Sequence, residues 1–257
     1  MKPKAPLVDL NAHVLPGLDD GIPSPEAALK RLHEAHADGV RVLCAVSSSA
    51  VSPKARVITA YERLLKAARE AGLELQIVSG HQAALRPDLA REFREGSILP
   101  LGNSGYVFVE LPPDDFPSYT LDALYDLSLE GTRVLLIHPE LNYGLQKNPA
   151  LVKKLCEMEV VGVAAARHLR RKSSRVAMSS ALSLIEAGLV QAVASYAGRT
   201  QDRPARLTDV AALLGRHFGD SAVESLLTKT PHAISAGLPV EMRPASRRPL
   251  ASWFSPA

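Results

Sequence analysis

Residues 7–21 read LVDLNAHVLPGLDDG, and this stretch decides how the rest of the chain is interpreted. Its first four residues are mostly apolar, which is typical of a short strand that is buried on both faces. Polar and acidic residues follow at once, and Pro16 and Gly17 interrupt any regular element there. In parallel α/β proteins the functional residues collect at the carboxyl ends of strands, so this segment predicts a strand that leads into a site.

Six more apolar runs of the same kind follow, with helical segments between them. The predicted strands lie at residues 7–10, 41–46, 74–79, 106–111, 133–137, 160–166 and 190–195. Strands that alternate with helices imply a parallel sheet in an α/β protein. Seven repeats without a break in composition favour a single nearly closed (β/α) barrel, and an open doubly wound sheet is the alternative.

Capping residues mark several of the helices between the strands. Ser24 and Pro25 begin a helix that Gly39 ends, and Gly72 ends a helix that contains residues 57–68. These residue types are the preferred caps and stops of helices. Three more helix starts are predicted at Asn148-Pro149, at Asp220 and at Thr230-Pro231.

Composition narrows the class of protein. Hydrophobic residues make up 46% and charged residues 22% of the 257, which is an ordinary globular mixture that needs no disulfide or structural metal. Two cysteines far apart, no apolar run of membrane-spanning length and no signal peptide predict a cytoplasmic protein. A net charge of +3 does not indicate a nucleic-acid partner. The oligomeric state is not predicted.

The chain is predicted to divide into a barrel domain and a tail. Residues 1–237 contain all seven strands. Residues 238–257 are rich in proline and arginine and have no hydrophobic periodicity, so a mobile tail is expected there.

A second segment, HPELN at residues 138–142, follows the fifth predicted strand. Together with residues 9–21 it resembles the polymerase and histidinol phosphatase (PHP) superfamily. The likeness is greatest to the bacterial manganese-dependent tyrosine-protein phosphatases of capsule and exopolysaccharide synthesis. Those proteins open with Asp-x-His-x-His-x-Leu-Pro-Gly-x-Asp-Asp-Gly. The resemblance extends from about residue 7 to 237 and implies a distorted seven-stranded (β/α) barrel, in agreement with the strand count.

The resemblance also implies which positions hold metal ions and substrate. Three expected metal ligands are present in this sequence, namely His13, Asp20 and His138. At the other five expected positions the sequence has Asn11, Ser48, Gln82, Tyr196 and Gly198. Arg203 resembles the catalytic, substrate-side arginine of the family.

These replacements argue against a cluster of divalent cations. Such a cluster needs carboxylates that bridge the ions and offset their charge, whereas the amides of Asn11 and Gln82 bind transition metals weakly and cancel no charge. We therefore expect no tightly bound cofactor. At most one manganese, iron or zinc ion is expected, at His13, Asp20 and His138, because three protein ligands suffice for a catalytic site of the zinc type.

A basic run, residues 167–175, follows the sixth predicted strand directly. Such a run is often no more than a solvated surface. At this place it is also expected to border the mouth of the barrel, where arginines bind phosphate in a bidentate manner. The residues predicted to bind an anion are Arg170, Arg171 and Arg203.

The sequence therefore predicts a pseudo-phosphatase, a phosphatase-like barrel that binds but hydrolyses poorly or not at all. The expected partner is a bacterial tyrosine kinase or its phosphotyrosine tail, within a polysaccharide-assembly system. An active phosphotyrosine-protein phosphatase with one residual metal ion is the alternative. A purely structural subunit of an assembly is a third reading that the sequence does not separate from the first.

Overall fold

The computed structural model describes residues 5–18, 22–170, 173–198 and 204–243. Within them seven strands form one parallel sheet in chain order, so the barrel is confirmed over the open sheet. The strands are β1 (Leu7–Ala12), β2 (Val40–Ser48), β3 (Gln76–Ala84), β4 (Tyr106–Glu110), β5 (Arg133–Ile137), β6 (Val161–Ala165) and β7 (Val190–Ala194). All seven were predicted, and β1, β2 and β3 extend beyond their predicted carboxyl ends.

The carboxyl end of β1 pairs with the segment that follows β7. Ala12 and Ala197 form an isolated parallel bridge there. Its hydrogen bonds run from the backbone amide of His13 to the carbonyl of Ala197, at 2.7 Å, and from the amide of Tyr196 to the carbonyl of Asn11, at 2.8 Å. The sheet therefore closes into a barrel at its mouth, the end where the functional residues were expected.

Below that bridge a carboxylate joins the two strands. Val8 and Leu10 face the barrel interior, so Asp9 between them lies on the other face of β1. Asp9 accepts hydrogen bonds from the backbone amide of Ser195, at 2.9 Å, and from its hydroxyl, at 2.5 Å. Asp9 is fully buried, and burial raises its pKa to about 6 although the Ser195 hydrogen bonds act in the opposite direction.

The helices cover the outside of the barrel. They are α1 (Pro25–Asp38), α2 (Lys54–Glu70), α3 (Leu89–Arg94), α4 (Thr120–Leu129), α5 (Tyr143–Lys147), α6 (Pro149–Glu157), α7 (Arg175–Ala187), α8 (Thr208–Phe218), α9 (Asp220–Glu224) and α10 (Thr230–Ser235). The hydroxyl of Ser24 caps α1, and Gly39 ends it in the left-handed conformation, as predicted. No helix in the described part of the chain has the length and hydropathy needed to cross a bilayer.

The strands are buried on both faces because two separate apolar clusters enclose them. In β4, Tyr106 and Phe108 belong to the interior cluster, whereas Val107 and Val109 belong to the shell between strands and helices. Successive side chains of a strand point to opposite faces, so a strand with two apolar faces reads as one continuous apolar run. This is the physical reason why the strands could be located from the sequence.

The amino-terminal end of the barrel is covered by the end of the described chain. Ile234 of α10 belongs to the interior cluster, and Val240 and Met242 pack against that cluster. The hydroxyl of Tyr106 donates to the carbonyl of Leu238, at 2.9 Å. Residues 238–243 of the predicted tail thus contact the barrel, and residues 244–257 lie outside the described part of the chain.

Candidate functional site

The polar residues of the mouth stand on the carboxyl ends of the strands. Because the sheet is parallel and its strands are in chain order, these ends form one ring. Ser48 at the end of β2 pairs in register with Gln82 of β3, and Ala84 of β3 pairs with Glu110 of β4. The extensions of β1 to β3 beyond their predicted ends therefore carry part of the site.

In the half of the mouth formed by β1 to β4, hydrogen bonds link three side chains. We name this half the amide side (Asn11, Gln82 and Glu110). The side-chain nitrogen of Asn11 lies 3.4 Å from Oε1 of Gln82, and Nε2 of Gln82 donates to Oε2 of Glu110 at 2.9 Å. Oδ1 of Asn11 is buried and has no hydrogen-bond partner among the described residues. Ser48 accepts a hydrogen bond from the backbone amide of Ala50, at 3.3 Å.

The other half of the mouth contains two residues with a left-handed backbone. His138 after β5 has φ 52° and Tyr196 after β7 has φ 50°. Their rings are in contact, with centroids 4.0 Å apart and planes inclined by 33°. Left-handed backbone at residues other than glycine is costly and persists only where the surroundings impose it, often at functional sites.

Tyr196 is held in a buried and neutral state. Its hydroxyl donates to the carbonyl of Val163 in β6, at 3.2 Å. Burial raises the pKa of the Tyr196 hydroxyl well above its ordinary value. A phenol in this state is a hydrogen-bonded wall of the site and offers no charged ligand to a metal ion.

Next to these rings, three residues form what we name the His–Glu–His triad (His138, Glu140 and His168). Glu140 is fully buried in a 3-10 turn, Pro139–Leu141, and His168 lies in a second one, Ala166–Leu169. Oε1 of Glu140 lies 2.7 Å from Nδ1 of His168 and 3.8 Å from Nδ1 of His138. All three ligand atoms lie within 4.8 Å of one another, and the part of the chain that the structure describes holds no other such group.

Glu140 remains ionised in this environment. Burial raises its pKa, but the interactions with the neighbouring imidazoles of His138 and His168 outweigh burial and bring the pKa to about 2. The backbone amide of Ala165 also donates to its Oε1, at 2.9 Å. Its second oxygen, Oε2, and Nδ1 of His138 are buried without a hydrogen-bond partner within the described ranges.

Arg167 contacts the triad from the far side of the His168 ring. Its Nε donates to Nε2 of His168, at 3.0 Å. An imidazole nitrogen that accepts a hydrogen bond carries no proton, so the single proton of His168 is on Nδ1 and is donated to Glu140. Arg167 therefore determines the tautomer of His168.

The predicted metal set of His13, Asp20 and His138 stays a prediction, because Asp20 lies outside the described residues. His13 is buried just after β1 and does not belong to the His–Glu–His triad. Gly198, another expected ligand position, accepts a hydrogen bond from Nε of Arg31 through its carbonyl, at 3.1 Å.

The predicted anion-binding residues are only partly described, since Arg171 and Arg203 lie outside the described ranges. Arg170 is half-buried, donates to the carbonyl of Arg206 at 3.0 Å and lies 3.5 Å from a carboxylate oxygen of Asp209. Burial lowers the pKa of Arg170, although Asp209 acts in the opposite direction. Any anion that binds Arg170 must share it with Asp209.

Three contributors to the mouth were missed in the sequence. Glu110 ends β4, Glu140 follows His138 by two residues, and His168 lies within the basic run that was interpreted only as a source of positive charge. Their position at the end of a buried strand or a few residues after it was the available signal. What the sequence did not contain was the pairing of Glu140 with His168, which depends on two turns 28 residues apart.

The described residues do not fit a cluster of divalent cations. Asn11 and Gln82 are bonded to each other, and Tyr196 is bonded to Val163 and stacked on His138. Two neutral amides, a neutral phenol and one carboxylate on the amide side supply neither the bridging oxygens nor the negative charge that several ions need.

Comparison with known proteins identifies relatives over nearly the whole chain. The family described as capsular polysaccharide synthesis, CpsB/CapC, matches residues 7–236. The tyrosine-protein phosphatase YwqE of Bacillus subtilis is 24% identical, over 96% of this chain and 100% of its own length. The tyrosine-protein phosphatase CpsB of Streptococcus pneumoniae is 20% identical, over 89% and 98%.

Solved structures share the fold. One from the crystallographic study of B. subtilis YwqE and S. pneumoniae CpsB, which are described as metal-dependent tyrosine phosphatases, matches with a TM-score of 0.86. It is 23% identical and covers 93% of this chain and 98% of its own. Molinate hydrolase matches with a TM-score of 0.55 and 13% identity, over 90% of this chain and 73% of its own. At these identities the likeness establishes the barrel fold.

Proposed function

The chain belongs to the CpsB/CapC family of capsular polysaccharide synthesis, and we propose that it acts there as a pseudo-phosphatase. In this role it binds a phosphotyrosine segment, or the tyrosine kinase that carries it, and hydrolyses the ester poorly or not at all. Two of its curated relatives, YwqE and CpsB, are named tyrosine-protein phosphatases, which supports a phosphotyrosine ligand. A cytoplasmic location, where such a tail would be accessible, is part of the proposal.

The observation that carries the proposal is the mutual bonding of the residues at the mouth. Asn11, Gln82 and Glu110 bond to one another, and the Tyr196 ring stacks on His138. Catalysis by several metal ions requires carboxylates that hold the ions and an open position for water or substrate. Neutral amides that are bonded to each other and to Glu110, together with a neutral phenol, supply few of these ligands, which supports binding more than hydrolysis.

Recognition of phosphate is assigned to the arginines after β6 and β7. Arg170, Arg171 and Arg203 follow these strands in the sequence, as does Arg167. A well-formed charge-assisted hydrogen bond contributes about 1.5–3 kcal/mol when water is excluded. Two or three such contacts, reduced by the cost of competing with Asp209, give a dissociation constant between millimolar and micromolar.

The test combines metal analysis, turnover and binding. Protein purified without chelator should contain well under one transition-metal ion per chain, and added Mn²⁺ should not produce turnover of a phosphotyrosine peptide. The same peptide should bind in a calorimetric titration at low salt and more weakly at high salt, because screening reduces the attraction. A chelator-sensitive melting temperature together with steady turnover would overturn the proposal.

A charge-matched pair of triple variants locates the binding. Replacing Arg170, Arg171 and Arg203 by alanine should abolish peptide binding. The control replaces Arg63, Arg69 and Arg91, which are exposed on α2 and α3, and should bind like the parent apart from a small general effect of net charge. Circular dichroism should show both variants folded. Equal binding by the two variants would place the ligand elsewhere.

The alternative function is phosphomonoester hydrolysis with one metal ion, and one observation favours it. His138, Glu140 and His168 supply two imidazoles and a carboxylate within 4.8 Å, which is the ligand set of many single-ion hydrolytic sites. Metal content that tracks His168→Ala, together with turnover lost in the same variant, would select this alternative.

A further inference from the structure

The His–Glu–His triad has the residue types of a metal site, but Glu140 and His168 are hydrogen-bonded to each other. Glu140 Oε2 and His138 Nδ1 carry no hydrogen bond to any described residue although both are buried. A buried polar atom without a partner is unusual, and Oε2 of the ionised Glu140 has lone pairs available for an ion. The histidine side chains are 12% exposed, so an ion has access from the mouth.

We propose that the triad is a latent single-ion site that Arg167 keeps closed. An ion bound to Nδ1 of His168 requires the ring proton to be on Nε2, because a neutral imidazole carries one proton. Nε2 faces the Nε–H group of Arg167 at 3.0 Å, so a proton there would place two donors against each other. Arg167 thus holds His168 in the tautomer that donates to Glu140, in which Nδ1 has no lone pair for a metal.

The positive charge of Arg167 also opposes the binding of a metal ion. The guanidinium of Arg167 already supplies a cation beside the pair of His168 and Glu140, at the other ring nitrogen of His168 from the carboxylate. A divalent ion in the triad would be repelled by this charge across a poorly solvated ring. Removal of Arg167 should open the site: the ring proton then moves through solvent from Nδ1 to Nε2, and Nδ1 becomes free for an ion.

This inference does not rest on the proposed function, and its test uses no phosphotyrosine. The full-length parent and the variant Arg167→Met, which keeps the apolar stem of the side chain, are titrated with Co²⁺ and followed by visible absorption and equilibrium dialysis. The variant should bind one Co²⁺ on the order of 10- to 100-fold more tightly than the parent. Changes at residues that are hydrogen-bonded to a metal ligand usually alter metal affinity by this factor. Arg175→Met, in the same basic run but exposed, should behave like the parent.

Two double variants assign the ion to the triad. Adding His168→Ala to Arg167→Met should return the affinity to that of the parent, whereas adding His13→Ala should leave it tight. The proposal is overturned if the parent binds Co²⁺ as tightly as Arg167→Met, if the folded single variant gains nothing, or if His13→Ala abolishes the gain. Nitrogen-15 NMR of the parent provides a check that needs no variant: His168 should carry its proton on Nδ1, and an Nε2–H tautomer contradicts the proposal.

Discussion

The two halves of the barrel mouth are built from different chemistry. The amide side, on β1 to β4, is bonded through neutral amides and ends at one carboxylate, Glu110. The side formed by β5 to β7 keeps two imidazoles and a buried carboxylate, and it has two strained backbones at His138 and Tyr196. On the amide side the one carboxylate, Glu110, is bonded to a neutral amide, Gln82. The other half keeps its charged groups because Arg167 neutralises them from within the chain.

The difference suggests what a barrel of this kind needs when it holds no metal cluster. Ionised groups in a poorly solvated mouth are stable only when they are paired, so charge must either be removed or be matched by a new partner. On the amide side charge is removed by neutral amides, and in the triad it is matched by Arg167. If this contrast is correct, equivalent substitutions in the two halves should have very different effects on stability.

The largest effect is expected at Glu140. Glu140→Ala leaves the backbone amide of Ala165 and Nδ1 of His168 without an acceptor and removes the countercharge of Arg167. Breaking a buried pair in this way typically costs about 3–5 kcal/mol of unfolding free energy. Urea unfolding at pH 7.5 measures the loss. Gln82→Ala, the matched change on the amide side, should cost about 1 kcal/mol. Equal losses would contradict the contrast between the halves.

A second effect, dependent on pH, is expected at Asp9, where the halves meet across β1 and β7. Its pKa is raised from 3.8 to about 6 in the folded protein. Between these two pH values the folded state therefore holds a proton that the unfolded chain has released. Stability from this group is therefore present below pH 3.8 and lost as pH rises through 6. Between pH 4.5 and 7.5 the parent should lose about 2 kcal/mol relative to Asp9→Asn.

The comparison with Asp9→Asn isolates this group because all other titrating residues are shared. Asparagine can still accept from the backbone amide of Ser195, whose hydroxyl can rotate to accept from the new amide. Asp126→Asn, exposed on α4, serves as the control and should run parallel to the parent. Parallel stability curves for the parent and Asp9→Asn would show that Asp9 does not titrate in this range.

The sequence predicted the scaffold far better than the site. Burial on both faces leaves an apolar run that is visible in every strand, and capping residues such as Ser24 and Gly39 act locally, so both are readable from neighbouring letters. The triad is not local. Glu140 meets His168 only because two turns and the left-handed backbone of His138 bring them together. Replaced positions such as Gln82 were found by resemblance, but the acceptor of Gln82, Glu110, was missed because it is set by pairing in the sheet.

The smallest effect, and the most specific one, is expected from Gln82→Glu. The change replaces a donor, Nε2, by a carboxylate oxygen at 2.9 Å from Oε2 of Glu110. Two carboxylates at this separation cannot both ionise without strong repulsion, so the pair retains a proton and at least one of its pKa values rises. The variant should lose about 1–2 kcal/mol of unfolding free energy at pH 7.5 and recover most of it at pH 5, since the shared proton restores a hydrogen bond. Gln82→Met removes the same donor without adding charge, and its smaller loss of unfolding free energy should not change between these two pH values.

Mn²⁺ should rescue neither variant, because Asn11, Ser48 and Tyr196 still supply no carboxylate or imidazole and the ligands of a cluster act as a unit. Tight binding of Mn²⁺ by Gln82→Glu alone would mean that the amide side still has the geometry of a metal centre. The chemical contrast between the two halves would then depend on a single residue.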